Sequence, residues 1–217
     1  NDLNYRHIPI HLISGEENRA LALQRGARNF LLKPLGNEAL QELFEDIVAY
    51  SKKDVRRVLI VEDNEADASQ IAKLLAGDII TVSVADSGEK AMQELNEKEF
   101  DCIILDYSMP DIPGPQLVEK VAGIKNKLTP VIVYSARDFN KKEMQLLSRT
   151  FNKVLLKGVQ SLEQLLEETV MHLHIQHKDL APEKSKLIEN IRKRQDILAG
   201  KNILVVDDDV RNLFALT

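Results

Sequence analysis

From Arg56 onward the chain alternates short apolar runs with longer stretches whose apolar residues recur every three or four positions. The runs are Val58 to Val61, Ile79 to Val84, Cys102 to Leu105, Val131 to Tyr134 and Val154 to Leu156. Runs this short, rich in Val and Ile, suit strands of a buried parallel sheet. The stretches between them keep helical spacing, as Leu162, Leu165, Leu166, Val170 and Leu173 do, which lays one apolar stripe along a helix. Punctuation agrees: Asp86-Ser87 can cap a helix beginning near Glu89, and Gly77 follows a helix ending near Ala76. Five strands alternating with five helices predict an α/β fold, a doubly wound five-stranded parallel sheet covered on both faces.

The pattern then repeats in part on either side of this unit. "IPIHLISG" from Ile8 matches "TPVIVYSA" from Thr129, each a proline-led apolar strand ending in serine. "NFLLKPLGNEALQELFEDI" from Asn29 matches "KVLLKGVQSLEQLLEETV" from Lys153, each a strand, a lysine, a loop and an amphipathic helix. "RRVLIVEDNEAD" from Arg56 matches "KNILVVDDDVRN" from Lys201, each a strand ending in paired acids. Residues 1–52 are therefore expected to be the tail of one unit, 55–177 a complete unit and 201–217 the head of a third. Between them, Lys178 to Gly200 carries Leu187, Ile191 and Leu198 near helical spacing amid many charges, and reads as a linker helix with Pro182 at its start. Incomplete units at both ends make a fragment of a longer protein the expectation.

Composition narrows the function classes. Of the 217 residues 44% are hydrophobic and 29% charged, an ordinary globular balance. No apolar run approaches the roughly 18 to 20 residues of a membrane span. A net charge of −5 with Lys and Arg interspersed among acids leaves no basic stripe, so nucleic acid is not an expected partner. Cys102 is the single cysteine, in an apolar run, which fits a core thiol, no disulfide within the chain and a reducing, cytoplasmic compartment.

The unusual polar residues of the complete unit fall where its strands end: Glu62 and Asp63 after the first, Asp106 after the third, Ser135 after the fourth and Lys157 after the fifth. Open α/β sheets bind ligands beyond those carboxyl ends, so the five positions converge on one crevice. An aspartate after a strand is, taken alone, a turn residue or helix cap. Three carboxylates together would repel unless something positive sat among them, and hard oxygen donors suit Mg²⁺. Lys157 adds a compact charge and Ser135 a hydroxyl donor. The set describes a site for a phosphoryl group whose acceptor is one of the carboxylates.

These residues, in this order, resemble the receiver domain family of two-component signalling. The resemblance implies a flavodoxin-like fold of strand order 2-1-3-4-5, with Asp106 as phosphoacceptor, Glu62 and Asp63 as the acidic pair for Mg²⁺, and the Ser108 backbone carbonyl as a further ligand. Ser135 and Lys157 would be the hydroxyl and lysine that hold the phosphoryl group, and Ala136 would leave room beside it. Ser14 and Lys33 in the first partial unit, and Asp207 and Asp208 in the third, would be halves of equivalent sites. Tandem receivers of this kind resemble the C-terminal region of large hybrid sensor histidine kinases. The implied donor is a phosphohistidine on a kinase dimerisation domain or a phosphotransfer domain, and the implied partners include neighbouring receivers and a second copy of the chain. The receiver would catalyse its own phosphoryl transfer and dephosphorylation; no kinase core is expected in these residues.

Two positions depart from the family pattern. Lys157 precedes Gly158, whereas Lys33 precedes Pro34, and Val154 stands where Phe30 stands in the first unit, three residues before the lysine. The family's aromatic there swings inward with the hydroxyl, so the output of this unit is expected to differ from the usual strand-five face. The rival from the binding-module class is a pseudo-receiver, an interaction module independent of phosphorylation. A haloacid-dehalogenase-like hydrolase would want a second aspartate two positions past the first, where Ser108 stands. The histidines are expected in strands (His7, His11) and as solvated residues at a helix end (His172, His174, His177).

Overall fold

The computed structural model describes residues 5–123, 129–158 and 162–198, the last five of these by backbone alone. The stretch expected to open a third unit, with Asp207 and Asp208, lies outside the described residues.

The first elements are β1 (His11–Ser14), α1 (Arg19–Gln24), β2 (Asn29–Leu32) and α2 (Asn37–Ser51). β1 and β2 pair in parallel as a two-stranded sheet. Then follow β3 (Arg56–Val61), α3 (Glu65–Leu75), β4 (Ile80–Ala85), α4 (Gly88–Glu97), β5 (Cys102–Leu105), α5 (Gly114–Ala122), β6 (Val131–Ser135), α6 (Lys141–Thr150), β7 (Lys153–Leu156) and α7 (Leu162–His172). The five strands form one parallel sheet in the order β4-β3-β5-β6-β7. That is the 2-1-3-4-5 order, with its reversal between β3 and β5. A short 3-10 turn (His177–Asp179) leads into α8 (Pro182–Leu198).

Successive residues of β3 serve opposite faces, as the period of a strand requires. Val58 and Ile60 join Ile71 and Leu75 of α3, Leu165, Leu166 and Val170 of α7, and Ile188 of α8. Leu59 and Val61 join Ala91 of α4, Leu117 and Val121 of α5, and Leu147 of α6. Two apolar layers thus clamp the sheet and fix the heights of its strand ends. Helix starts are pinned by side chains: Asn64 Oδ1 accepts from the backbone of Ala66 and Asp67, Ser87 Oγ from Lys90, and Asn140 forms a capping box with Glu143.

The histidines correct the sequence reading. His7 lies in a turn before β1 rather than in a strand. His172 and His174 are buried, at 4% and 8% exposure, and His177 is partly buried, so the end of α7 is not solvated. The cover comes from the N-terminal elements. Arg6 donates to the carbonyl and carboxylate of Glu167, Tyr50 stands edge-on to His174, and Gly26 approaches Met171 with φ +90. These contacts join residues more than a hundred positions apart, which local spacing does not encode.

Candidate functional site

β3, β5, β6 and β7 end side by side and deliver Glu62, Asp106, Ser135 and Lys157 to one crevice. Their alignment is held by backbone bonds across the strand ends: Asp106 N–H donates to Val61 O at 2.9 Å, and Lys157 N–H to Ser135 O at 2.8 Å. Asp106 is buried, with 6% of its surface exposed. Its Oδ1 accepts from Ser135 Oγ at 2.7 Å and from the Ser108 peptide N–H at 2.8 Å, and its Oδ2 accepts from Lys157 Nζ at 2.9 Å. A buried carboxyl without hydrogen-bond donors would cost several kcal/mol, and these three donors supply its partners.

Lys157 is the electrostatic centre. Its ammonium donates to Asp106, to Glu62 and, at 3.0 Å, to Asp67. Burial works against its charge, but the hydrogen bonds to Glu62, Asp106 and Asp67 outweigh burial and raise its pKa. Glu62 is pushed above the ordinary carboxylate range by desolvation, with Lys157 pulling the other way. Asp63 is exposed beside it. Among the described residues no three His, Cys, Asp or Glu side chains form a metal-binding group by themselves. The lysine ammonium fills the point on which Glu62, Asp67 and Asp106 converge.

The sequence reading placed Glu62, Asp106, Ser135 and Lys157 in one site, and the fold brings these four together. Asp63 and Ala136 lie exposed beside it. Asp67 was missed. It sits in the first turn of α3, where an acid reads as a partner for the helix dipole. The signal available was its spacing: five residues after Glu62 and one turn into the helix, it faces back toward the strand ends.

β1 and β2 repeat the backbone frame of β6 and β7, with no aspartate at a position equivalent to Asp106. Lys33 N–H donates to Ser14 O at 2.8 Å, as Lys157 does to Ser135, and the register Ser14↔Leu32 matches Ser135↔Leu156. Lys33-Pro34 is a cis peptide, and Gly158, which follows Lys157, has φ +84. Phe30 is buried, and Val154 is partly buried against the layer that contains Leu147 and Phe151.

The response regulator receiver domain model matches residues 58–169, a little over half of the chain. The chain belongs to the receiver domain family. A two-component response regulator of rice, ORR5 from Oryza sativa subsp. japonica, is 32% identical over 105 residues, 48% of this chain and 78% of that protein. The signal transduction histidine-protein kinase BarA of Escherichia coli (strain K12) is 26% identical over 196 residues, which cover 84% of this chain and 21% of BarA. The chain thus spans about a fifth of that relative. Among solved structures, the signal receiver domain of a putative Luxo repressor protein from Vibrio parahaemolyticus overlays with a TM-score of 0.50 at 21% identity, covering 63% of this chain and 97% of that one. A CheY-like receiver domain protein from Methanospirillum hungatei JF-1 gives the same TM-score and identity over 58% of this chain and 99% of its own. Both show the shared fold. No described helix of the receiver or its flanks is long and apolar enough to cross a membrane.

Proposed function

We propose that residues 55–177 accept a phosphoryl group on Asp106 from a phosphohistidine and signal through the change in charge that follows. The observation that carries this is the pairing of one buried carboxylate with both a hydroxyl and an ammonium, Ser135 Oγ on Oδ1 and Lys157 Nζ on Oδ2. In the transfer, a carboxylate oxygen forms an O–P bond while the P–N bond of the donor imidazole breaks. The bonding pair stays on the nitrogen, which takes a proton. Lys157 and Ser135 are placed to follow the charge from the carboxylate to the phosphoryl oxygens. Later, water attacks phosphorus, returning the Asp106 carboxylate and inorganic phosphate.

The donor set fits a hard divalent cation. Glu62, Asp63, Asp106 and the Ser108 carbonyl are all oxygen donors at the strand ends, and the raised pKa of Glu62 marks a desolvated carboxylate that one ammonium does not fully compensate. Mg²⁺ bound there supplies charge neutralisation for the phosphoryl oxygens.

Residues 1–52 are read as the second half of a preceding receiver, and 201–217 as the start of a following one, in a hybrid sensor histidine kinase; BarA is by name a signal transduction histidine-protein kinase. The match to BarA extends beyond the residues of the complete receiver, which supports that reading. The donor is then a histidine of the kinase or of a phosphotransfer domain, in the cytoplasm.

Intact-mass analysis after incubation with acetyl phosphate and Mg²⁺ tests the proposal. One added phosphoryl group, absent in Asp106→Asn and in EDTA, is the expected result. No gain despite bound Mg²⁺ would sink it and leave the phosphorylation-independent interaction module.

A further inference from the structure

An ammonium has three protons, and Lys157 spends one each on Glu62, Asp106 and Asp67. The three acceptors are not equivalent. The Glu62 and Asp106 side chains are 3% and 7% exposed, whereas that of Asp67 is 43% exposed. Asp67 alone of the three sits on a helix rather than at a strand end, in the first turn of α3 that Asn64 caps. An acid here has an ordinary structural role, favourable interaction with the helix N-terminus. That role needs no partner, yet the carboxylate is turned onto the lysine at 3.0 Å.

We propose that Asp67 is a positioning residue of the phosphoryl-transfer site, which holds Lys157 in the resting state and governs how readily its ammonium passes to a phosphoryl oxygen. The proposal rests on the receiver reading above. When a phosphoryl group reaches Asp106, its oxygens compete for the ammonium. Glu62 and Asp106 hold that ammonium from buried positions, so the water-exposed Asp67 contact is the one that breaks most easily. Until it breaks, Asp67 also places a negative charge at the crevice through which an anionic donor must come.

Removing the charge while keeping the shape therefore has two consequences. Asp67→Asn accepts the phosphoryl group from acetyl phosphate faster, by about fivefold for one unit charge a few ångströms away in water-like surroundings. Its acceptance rate also depends differently on ionic strength, since a charge that meets the incoming anion has been deleted. The acyl phosphate then persists longer, because Lys157 stays on it.

The experiment measures acceptance and loss of the phosphoryl group by intact mass in the 217-residue chain, at two or more salt concentrations, for parent, Asp67→Asn, Asp67→Glu and Asp67→Ser. Expected are faster acceptance, an altered salt slope and slower loss in Asp67→Asn and Asp67→Ser, with return toward parent values in Asp67→Glu. Two substitutions of different shape guard against a variant that fails to fold. Unchanged rates and salt slope, with only a lowered melting temperature, would reduce Asp67 to a helix-dipole partner and overturn the proposal while leaving the receiver reading intact. A parent chain that takes up no phosphoryl group overturns both.

Discussion

The hydroxyl of Tyr50, at the end of α2, donates to the carbonyl of Leu173, just past the end of α7, at 2.7 Å. The ring beneath it is buried and lies under two guanidinium groups, Arg28 at 3.5 Å and Arg56 at 4.0 Å from its centroid. One residue of α2 thus packs against the end of α7. Arg28 is itself held by Asp46 of α2.

Tyr50→Phe keeps the ring and strips the Leu173 carbonyl of its donor, which costs about 1 to 3 kcal/mol when the carbonyl is left buried. Tyr50→Ala also removes the stacked ring and costs about 3 to 5 kcal/mol. Urea unfolding of the two variants should therefore give graded losses. Equal, near-zero losses would show that the joint does not contribute to the stability of the receiver.

The buried histidines make the same joint acid-sensitive. Burial holds the pKa of His172 down to about 3, with His174, Lys153 and Arg6 adding repulsion, and that of His174 down to about 4, where Arg28, His11 and Arg56 add theirs. Glu168 faces His172 from within α7 at 4.0 Å. In the unfolded chain both titrate near 6.5, so there the unfolded state binds more protons. Their contribution is complete above pH 6.5 and is lost as pH falls toward the folded values, by up to about 1.4 kcal/mol per pH unit for each histidine. Glu62, raised by burial, works in the opposite sense, so the comparison is with a variant. The urea midpoint of the parent should fall between pH 7 and 5, and that of His172→Phe should fall less steeply.

Gly114 opens α5 with no room for a side chain. A Cβ there would lie 2.2 Å from Tyr107 Cε1, in a ring packed edge-on against Phe139 at 5.0 Å. Tyr107 follows Asp106 directly, and the next peptide N–H, that of Ser108, donates to Asp106. Gly114→Ala should cost about 1 to 3 kcal/mol by overpacking. It should also slow phosphoryl uptake by shifting that N–H. Thermal melting and intact-mass kinetics on the same sample separate the two effects, and normal uptake in a destabilised variant would show that the Ser108 contact is not critical.

The strands were legible because each is apolar and short, and the grouping of Glu62, Asp106, Ser135 and Lys157 was legible because these polar residues interrupt that pattern where it stops. Asp67 was not, because an acid in a first helical turn already has a local explanation. His172 and His174 were misread for a different reason: they follow an apolar stripe into what looks like a polar helix end, and their cover arrives from Arg6, Tyr50 and Met171's neighbour Gly26. Sequence spacing reports which face of an element is buried. It does not report residues from the chain's first fifty positions folding over the end of that element.

The helix that carries Asp67 at one end is gripped at the other by α8. Lys184 Nζ donates to the carbonyls of Leu75 and Ala76, at 3.0 and 2.6 Å, and Ile188 of α8 is fully buried in the layer shared with Ile71 and Leu75. These carbonyls terminate α3 and would otherwise need water, so Lys184 acts as a C-terminal cap supplied from outside the helix. Asp67 ties the start of α3 to Lys157 and Lys184 ties its end to α8, so on the proposed function a change at the site has a route through α3 to α8 that does not need an aromatic at Val154. Beryllofluoride should then shift amide resonances along α3 and α8 as well as at Ser135 and Lys157. Lys184→Met should abolish the α8 shifts and keep those at the site. Val154→Tyr should add shifts on the β7 face that the parent lacks. Shifts confined to β7 in the parent, identical to those of Val154→Tyr, would mean that the aromatic is dispensable and that α8 is only a packed spacer.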